Sequence, residues 1–115
     1  MMAPTFVLDS AGDVALALGS GGSKRIRSVL LQVLTAVVDD GADLTTAVSA
    51  ARVHWDEDHV EAEPGLGPLA LDALSGRWPV NRWPEPNLYF GGVHAVQPGR
   101  AGAGDARRGG VVRRT

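Results

Sequence analysis

The segment from Val14 to Val38, VALALGSGGSKRIRSVLLQVLTAVV, decides the fold. It begins with an apolar run, continues through a loop of glycine and serine, and ends in a run where apolar residues recur every three or four positions. The recurring residues are Ile26, Val29, Leu30, Val33, Leu34, Val37 and Val38. This spacing predicts an amphipathic helix that starts near Ser23 and stops at Gly41. The segment as a whole therefore predicts a strand, a tight loop and a helix.

The segments on either side predict strands in antiparallel pairs with helices between the pairs. Thr5 to Leu8 and Val14 to Leu18 are short apolar runs joined by turn-forming residues, which is typical of a β-hairpin. Neither run alternates cleanly between apolar and polar residues, so we expect both faces of this hairpin to be covered. The order of elements indicates an α+β fold rather than a doubly wound parallel sheet.

The second half of the chain predicts further short elements. In chain order they are a helix from Leu44 to Ala51 capped by Asp43, a hairpin of Val53–Trp55 and His59–Ala62, a helix from Leu66 to Leu74, an extended edge or loop over residues 77–87, and two strands at Leu88–Phe90 and Val93–Val96. A sheet built from these pieces has unpaired edges, which an isolated domain usually hides or blunts.

Composition restricts the classes of function. A chain of 115 residues suits one small domain or part of one, and 44% hydrophobic residues are enough for a core. The formal net charge of −2 does not indicate binding to nucleic acid or to a membrane surface. No apolar run reaches the roughly 18 residues of a membrane-spanning helix. The absence of cysteine excludes disulfides and thiolate metal sites.

Residues 98–115 form a basic, glycine-rich tail. The tail contains five arginines and one acidic residue, Asp105. A basic tail can contact nucleic acid, and Arg107 to Gly110 resembles a single RGG element. Its many glycines and alanines are more typical of a poorly ordered chain end, which is what we expect here.

The glycine loop between the first strand pair and the helix has the local chemistry of an anion site. The first turn of a helix has free backbone N–H groups and the positive end of the helix dipole. Gly21 and Gly22 lack a Cβ, so the backbone there can approach a ligand closely. Chemistry alone leaves two interpretations open, a tight turn from strand to helix and a site for a phosphate, a carboxylate or an oxyanion.

The spacing of the loop matches neither common nucleotide motif. A P-loop requires glycine immediately before its lysine, but Ser23 precedes Lys24. The dinucleotide fingerprint requires a third glycine where this sequence has Lys24, counting from Gly19 and Gly21. Both nucleotide motifs therefore fail on spacing.

Several short motifs, in order along the whole chain, resemble the gamma-glutamyltranspeptidase small subunit, in its C-terminal part. The strongest is ALGSGGSKRIRS at Ala17–Ser28. The others are MAPT at Met2–Thr5, LQVL at Leu31–Leu34, Gly41, Ala47-Val48, ARVH at Ala51–His54, EPGL at Glu63–Leu66 and GAGDARRGG at Gly102–Gly110. In the last motif Ala106 stands where the family has proline. Each motif is weak alone, and together they are specific.

The resemblance implies part of the αββα layered fold of the N-terminal-nucleophile hydrolases. In such enzymes the N-terminal threonine of the small subunit attacks a gamma-glutamyl amide, as in glutathione, and passes the acyl group to water or an amino acid. The terminal amine acts as the base, and backbone donors stabilise the oxyanion. By resemblance, Gly21 and Gly22 match the glycine pair beside the oxyanion and the bound glutamyl group. The resemblance implies no cofactor.

The family's nucleophile motif is absent from this sequence, and its paired serines would fall at Met1 and before it. We therefore expect a C-terminal fragment spanning residues 1–115, inactive alone, whose missing partners are the large subunit and the N-terminal part of the small subunit. Two alternatives remain. One is a non-catalytic subunit that complements a separate chain. The other is a small anion-binding module that uses the glycine loop.

Two other groups of residues are weaker candidates. His54, Asp56, Asp58 and His59 are potential zinc ligands, but a hairpin tip also carries such residues simply as solvated charges, and we expect no metal. The three tryptophans, Trp55, Trp78 and Trp83, are potential stacking surfaces for bases or sugars. We expect them to anchor loops instead.

Overall fold

The computed structural model describes residues 2–115, which form an α+β fold as the sequence predicts. In chain order its helices and strands are β1 (Thr5–Leu8), β2 (Val14–Gly21), α1 (Arg25–Leu34), α2 (Leu44–Ser49), β3 (Val53–Asp56), β4 (His59–Ala62), α3 (Pro68–Ser75), β5 (Val80–Arg82), β6 (Gly92–Gln97) and β7 (Ala101–Gly104). A π-helical turn at Thr35–Asp39 extends α1, so the long predicted helix is confirmed.

The strands form two sheets. The larger has the order β1-β2-β6-β7, and every neighbouring pair in it is antiparallel. The smaller has the order β3-β4-β5, in which β4 and β5 are parallel. The proline-rich segment over residues 77–87 thus contributes a short edge strand, where a proline does not interrupt a central ladder. The predicted β1-β2 and β3-β4 hairpins are confirmed.

The core lies between one face of the larger sheet and the helices α1 and α2. The apolar stripe of α1 packs on this face, and its members Ile26, Val29, Leu30 and Val33 are all buried. Asp43 caps α2, because its Oδ1 accepts a hydrogen bond of 2.8 Å from the backbone N–H of Thr46. Only residues 22–24 separate β2 from α1, so the N-terminus of α1 lies directly after the end of β2.

The opposite face of the larger sheet is open. Leu16 and Leu18 are buried under the helices, whereas Phe6 is 64% exposed and Leu8 is 58% exposed. Val96, in the same cross-strand row as Phe6, is 52% exposed. The expectation that both faces of the first hairpin are covered is therefore wrong within residues 2–115. The strands alternate between a buried and an exposed side, and part of the exposed side is apolar.

The predicted strand at Leu88–Phe90 is instead a 3-10 turn. The side chain of Asn87 accepts a hydrogen bond of 2.8 Å from the backbone N–H of Tyr89, which favours a turn over an extended strand. Gly91 then adopts φ 80°, which reverses the chain into β6. The capping hydrogen bond at Asn87 therefore outweighs the tendency of the apolar run to form a strand.

The prediction of a poorly ordered tail is wrong for residues 101–110. Ala101–Gly104 forms β7, and a 3-10 turn follows at Ala106–Arg108. Ala103 lies in the core, and Asp105 is only 1% exposed. The small residues of Ala101–Gly104 pair with β6 as a strand. The long-range contact of Asp105 with Arg52 holds this segment in place.

None of the helices formed by residues 2–115 has the length and hydropathy needed to cross a membrane.

The two faces of the larger sheet should differ sharply in their contribution to stability. Leu16→Ala removes a buried side chain and should lower the free energy of unfolding by about 2–5 kcal/mol. Leu8→Ala, the same change on the open face, should alter it by about 0.5 kcal/mol or less. Urea unfolding followed by circular dichroism measures both. Equal losses for the two variants would contradict the one-sided core.

Candidate functional site

The loop between β2 and α1 has an unusual backbone. Gly22 has φ 129° and Ser23 has φ 56°. Residues other than glycine rarely adopt positive φ, so Ser23 is a conformationally costly residue at this turn. The loop closes onto the helix through hydrogen bonds from Arg25 N to Gly22 O and from Ile26 N to Ser23 O, of 3.2 and 3.1 Å.

Three successive backbone donors in this loop are free. Among residues 2–115, the N–H groups of Gly22, Ser23 and Lys24 have no hydrogen-bond acceptor. Ser23 is left-handed and Lys24 has φ −54° and ψ −31°, and such an alternation turns successive N–H groups toward one concavity. The positive end of the α1 dipole lies at the same place. The loop can therefore stabilise a carboxylate, a phosphate or an oxyanion.

The two glycines predicted from the sequence have different positions. Gly21 is the last residue of β2 and pairs with Gly92 of β6, whereas Gly22 belongs to the loop itself. Sequence reasoning pointed to the free N–H groups of the helix N-terminus but did not name Ser23 and Lys24 as the residues that carry them. The helix start would have indicated them, because the free N–H groups of a helix are counted back from its first closed turn. That Gly21 and Gly22 bind substrate stays a prediction.

A cavity of about 280 Å³ lies beside Gly21 on the open side of the larger sheet. Its walls come from the segment before β1, from the ends of β2 and β6, and from the turn after β7: Met2, Ala3, Pro4, Gly19, Ser20, Gly21, Gly92, His94 and Arg108. The free-donor loop follows directly after Gly21 in sequence, and the cavity itself is lined by Gly21 but not by Gly22, Ser23 or Lys24.

Aromatic and polar side chains behind the loop hold α1 on the smaller sheet. The guanidinium of Arg25 lies 4.2 Å from the ring centroid of Tyr89. The ring of His54 meets Tyr89 edge-on, and its Nδ1 lies 2.7 Å from Oγ of Ser28. Burial lowers the pKa of His54 below its ordinary value, which favours the neutral imidazole. These contacts position the first turn of α1, which carries the free donors.

Of the four suspected metal ligands, the structure brings together Asp56 and His59, with Glu61 as a third group that the sequence did not suggest. His54 is bonded to Ser28, while Asp56, His59 and Glu61 present oxygen and nitrogen atoms within 4.8 Å of one another. Both ring nitrogens of His59 lie 2.7 Å from carboxylates, Nδ1 from Asp58 and Nε2 from Glu61. These bonds, chiefly the one to Asp58, raise the pKa of His59 to about 9. Protonated His59 pairs with these carboxylates, and binding of a metal ion would require it to lose that proton. The expectation of no metal stays a prediction.

The three tryptophans do not form one surface. Trp83 stacks on Tyr89 with ring centroids 4.9 Å apart. Trp55 and Trp78 form a separate edge-to-face pair at 6.0 Å. Trp83 therefore packs the proline-rich segment over residues 77–87 against Tyr89, whose ring also contacts Arg25 of α1.

A model of the gamma-glutamyltranspeptidase family matches residues 1–114. The chain belongs to this family. Among curated proteins, the Glutathione hydrolase proenzyme of Escherichia coli (strain K12) is 33% identical over 78 residues, which are 66% of this chain and 13% of that protein. The family predicted from the glycine loop and the motifs that follow it is thus confirmed.

Solved structures of gamma-glutamyltranspeptidases share the fold. A mutant of the Helicobacter pylori enzyme is 32% identical with a TM-score of 0.78, and the match covers 92% of this chain and 60% of that one. The Pseudomonas nitroreducens enzyme in complex with L-DON is 29% identical with a TM-score of 0.80, covering 99% of this chain and 62% of that one. The N-terminal-nucleophile hydrolase architecture is therefore confirmed, and the chain spans less than two thirds of these relatives.

In this gamma-glutamyltranspeptidase family member, a buried ion pair holds the start of β6, whose first residue, Gly92, lines the cavity. Nη2 of Arg52 lies 2.7 Å from Oδ2 of Asp105, and the two side chains are 2% and 0% exposed. The same Oδ2 accepts a hydrogen bond of 2.9 Å from the backbone N–H of Val93, while Arg52 donates to the carbonyl of Phe90 at 3.0 Å. The pair thereby holds both ends of the Gly91-Gly92 turn.

A second ion pair continues this network. Arg107 donates two hydrogen bonds of 2.6 Å to the carboxylate of Glu63, in the two-pronged geometry that suits a guanidinium. It also donates to Oδ1 of Asp105 at 3.1 Å. Sequence reasoning found the motif that contains Asp105 and Arg107 but assigned it no structural role. Its partners at Arg52 and Glu63 lie too far away in sequence to be paired by pattern alone.

Asp105 should make stability depend on pH at the acid end. Burial alone raises the pKa of Asp105, but hydrogen bonds from the backbones of Val93 and Arg107 and from Arg52 outweigh burial and hold the pKa below its ordinary value. The charged carboxylate therefore stabilises the fold above its unfolded pKa of about 3.9, and this contribution is lost as pH falls through the folded pKa.

Asp105→Asn should lower the free energy of unfolding at pH 7 by about 3–5 kcal/mol, because it leaves the buried charge of Arg52 without its partner. The loss should shrink as the pH is lowered through the acid transition of the wild type. Urea unfolding between pH 7 and pH 3 measures this. Asp72→Asn, on the exposed surface of α3, is the control. An Asp105 variant as stable as this control would contradict the assignment.

Proposed function

We propose that this chain forms the oxyanion-binding part of a gamma-glutamyl-processing active site. The observation that carries the proposal is the row of free N–H groups at Gly22, Ser23 and Lys24, in a chain of the gamma-glutamyltranspeptidase family. When a nucleophile attacks a gamma-glutamyl amide, negative charge develops on the carbonyl oxygen. Fixed backbone donors at a helix N-terminus stabilise that charge without rearranging.

The nucleophile of the reaction comes from another segment, by this proposal. The hydroxyl of Thr5 donates to the carbonyl of Ala3 at 3.0 Å, so it is occupied by a local hydrogen bond at the start of β1. Thr45 and Thr46 lie on the exposed side of α2. The residues present bind and polarise the substrate, while the attacking threonine and its amine base are contributed by the remainder of a complete enzyme.

The open face of the larger sheet is the docking surface for that remainder. Phe6, Leu8 and Val96 expose apolar area on the side of the sheet opposite the helices. A layered hydrolase fold places a second sheet against such a face. The match covers only 60% of the Helicobacter pylori chain, so its relatives contain further segments that could occupy it. The cavity beside Gly21 lies on this same side of the sheet, which supports a site at the junction with that remainder.

The chain alone should release no product from a chromogenic gamma-glutamyl anilide, because binding groups without a nucleophile do not form the acyl intermediate. The Escherichia coli relative, assayed under the same conditions, is the positive control. Absorbance of the released aniline is the measurement. Turnover that disappears in a Thr5→Ala variant would show that the chain carries its own nucleophile and would overturn this part of the proposal.

Ligand binding at the loop is a separate test. Addition of L-glutamate to the ¹⁵N-labelled chain should shift the amide signals of Gly22, Ser23 and Lys24. Gly22→Ala should weaken binding by about tenfold or more, since φ 129° strains any residue with a Cβ and the loop donors then move. Gly67→Ala, where a Cβ meets nothing within 4 Å, is the matched control.

The choice of ligand separates the proposal from a general anion-binding module. Titrations with inorganic phosphate and ATP run beside that with L-glutamate. Tighter binding of ATP at the same three amides would favour the anion-binding module. Absence of any response at these amides to all three ligands would refute the proposed site.

A further inference from the structure

The chain that follows β7 turns back over the open face of the larger sheet. A Cβ built on Gly104 would lie 2.6 Å from the carbonyl carbon of Gly110. One built on Gly102 would lie 3.2 Å from Cγ1 of Val112. Gly102 and Gly104 share one face of β7, opposite the buried Ala103, and without side chains they leave room for the returning backbone. The returning segment, residues 110–112, therefore runs antiparallel to β7.

This path brings the end of the chain to the turn between β6 and β7. The turn is closed by a hydrogen bond of 2.9 Å from the backbone N–H of Arg100 to the carbonyl of Gln97. Arg113 and Arg114 come directly after the returning segment and line one cavity together with Arg100. Arginines from two separate segments thus meet at one end of the sheet.

The cavity between this turn and the end of the chain has the size for a small ligand. Its volume is about 450 Å³, and pockets for small molecules measure roughly 300–1,000 Å³. No Asp or Glu side chain lines it, so no acidic side chain opposes the charge of the arginines there. Val96 and Val112, both about half exposed, add an apolar wall.

The three guanidinium groups are available to a ligand. Among residues 2–115, the side chains of Arg100, Arg113 and Arg114 form no hydrogen bond and no ion pair. A guanidinium presents its N–H donors in a planar fork that binds two oxygens of an anion at once. A single carboxylate has one charge and two oxygens, which one guanidinium satisfies. Three guanidinium groups around one cavity match a ligand with several anionic oxygens, such as a chain of phosphates.

We propose that Arg100, Arg113 and Arg114 form a binding site for a small ligand that carries two or more phosphate groups. The inference goes beyond the proposed function and does not depend on it, because the glycine loop does not line this cavity. The shared chemistry is the phosphate chain. Its source is either inorganic polyphosphate or a nucleotide, whose nucleoside would contact the apolar wall.

Charge favours a small ligand over nucleic acid. Residues 1–97 contain twelve Asp and Glu against six Lys and Arg, and this acidic surface repels an extended polyanion. The arginines surround one cavity and do not form a row along which a phosphate backbone could lie. A ligand that fits within the cavity meets their charge without crossing the acidic part of the molecule.

Titration with three probes tests the site and its source. Isothermal titration calorimetry of the chain uses inorganic tripolyphosphate, ATP and a short single-stranded oligonucleotide. Tripolyphosphate should bind, and in the ¹⁵N-labelled chain it should shift the amide signals of Arg100, Arg113 and Arg114. Tighter binding of ATP at these amides would identify a nucleotide as the source, whereas equal or weaker binding would identify the phosphate chain alone.

Substitutions test the arginines. Arg100→Gln and Arg113→Gln should each weaken tripolyphosphate by about tenfold or more, because each removes charge-assisted hydrogen bonds. Arg100→Lys should fall in between, since it keeps the charge but loses the planar fork. Arg82→Gln, the same change of charge at an exposed residue of β5, should bind as the wild type does. Amide spectra confirm that each variant is folded.

A glycine variant tests the path of the chain. Gly104→Ala keeps all three arginines but places a Cβ against the backbone of Gly110, so the returning segment must move and binding should fall by about tenfold. Gly67→Ala, whose Cβ meets nothing within 4 Å, is the control. Wild-type affinity in a folded Gly104→Ala variant would show that the arginines do not act as one site.

Three further outcomes would overturn the proposal. The wild type binds neither tripolyphosphate nor ATP, or either one shifts only the amides of Gly22 to Lys24. Arg82→Gln weakens binding as much as Arg113→Gln, so that the effect is one of general charge. The oligonucleotide binds more tightly than both small probes, which would indicate a nucleic-acid surface instead. None of these results alters the test of the glycine loop with L-glutamate, so the two proposals fail separately.

Discussion

The ion pair between Arg52 and Asp105 is the interaction on which the rest of the site depends. A buried pair stabilises only when additional hydrogen bonds satisfy its charges. Here they come from the backbone of Val48, Phe90 and Val93. One interaction therefore joins the end of α2, the turn before β6 and the turn after β7. Arg108 lies over Gly21, and its backbone N–H donates to the carbonyl of Asp105.

The helix α1 and the two hairpins were predictable because their signals are local. Apolar spacing and turn residues act over a few positions, and the structure follows them. The order of the tail was not predictable from composition, because Asp105 is fixed by Arg52, a residue 53 positions away. The turn at Leu88–Phe90 was mispredicted because a polar cap at Asn87 competes with an apolar run. Long-range pairing and side-chain capping are invisible to periodicity.

The candidate site was predictable in kind but not in its detail. Glycines before a helix indicate close approach by a ligand, and the family resemblance gave that position a chemical purpose. The donors themselves depend on φ angles, and serine at φ 56° is not expected from its residue type. Arg108 was counted as part of a basic tail, because nothing in its local sequence shows that it returns to Gly21 and Gly92.

The pairing of β2 with β6 has a consequence for how the protein is made. It joins Gly21 to Gly92, so the two sides of the cavity are synthesised far apart in time. Pairing of distant segments is slow, because the loop-closure entropy is lost before the contacts form. The glycine loop is translated before β6 and before Arg108, which complete the walls of the cavity. The cavity therefore forms only after β6 has paired with β2.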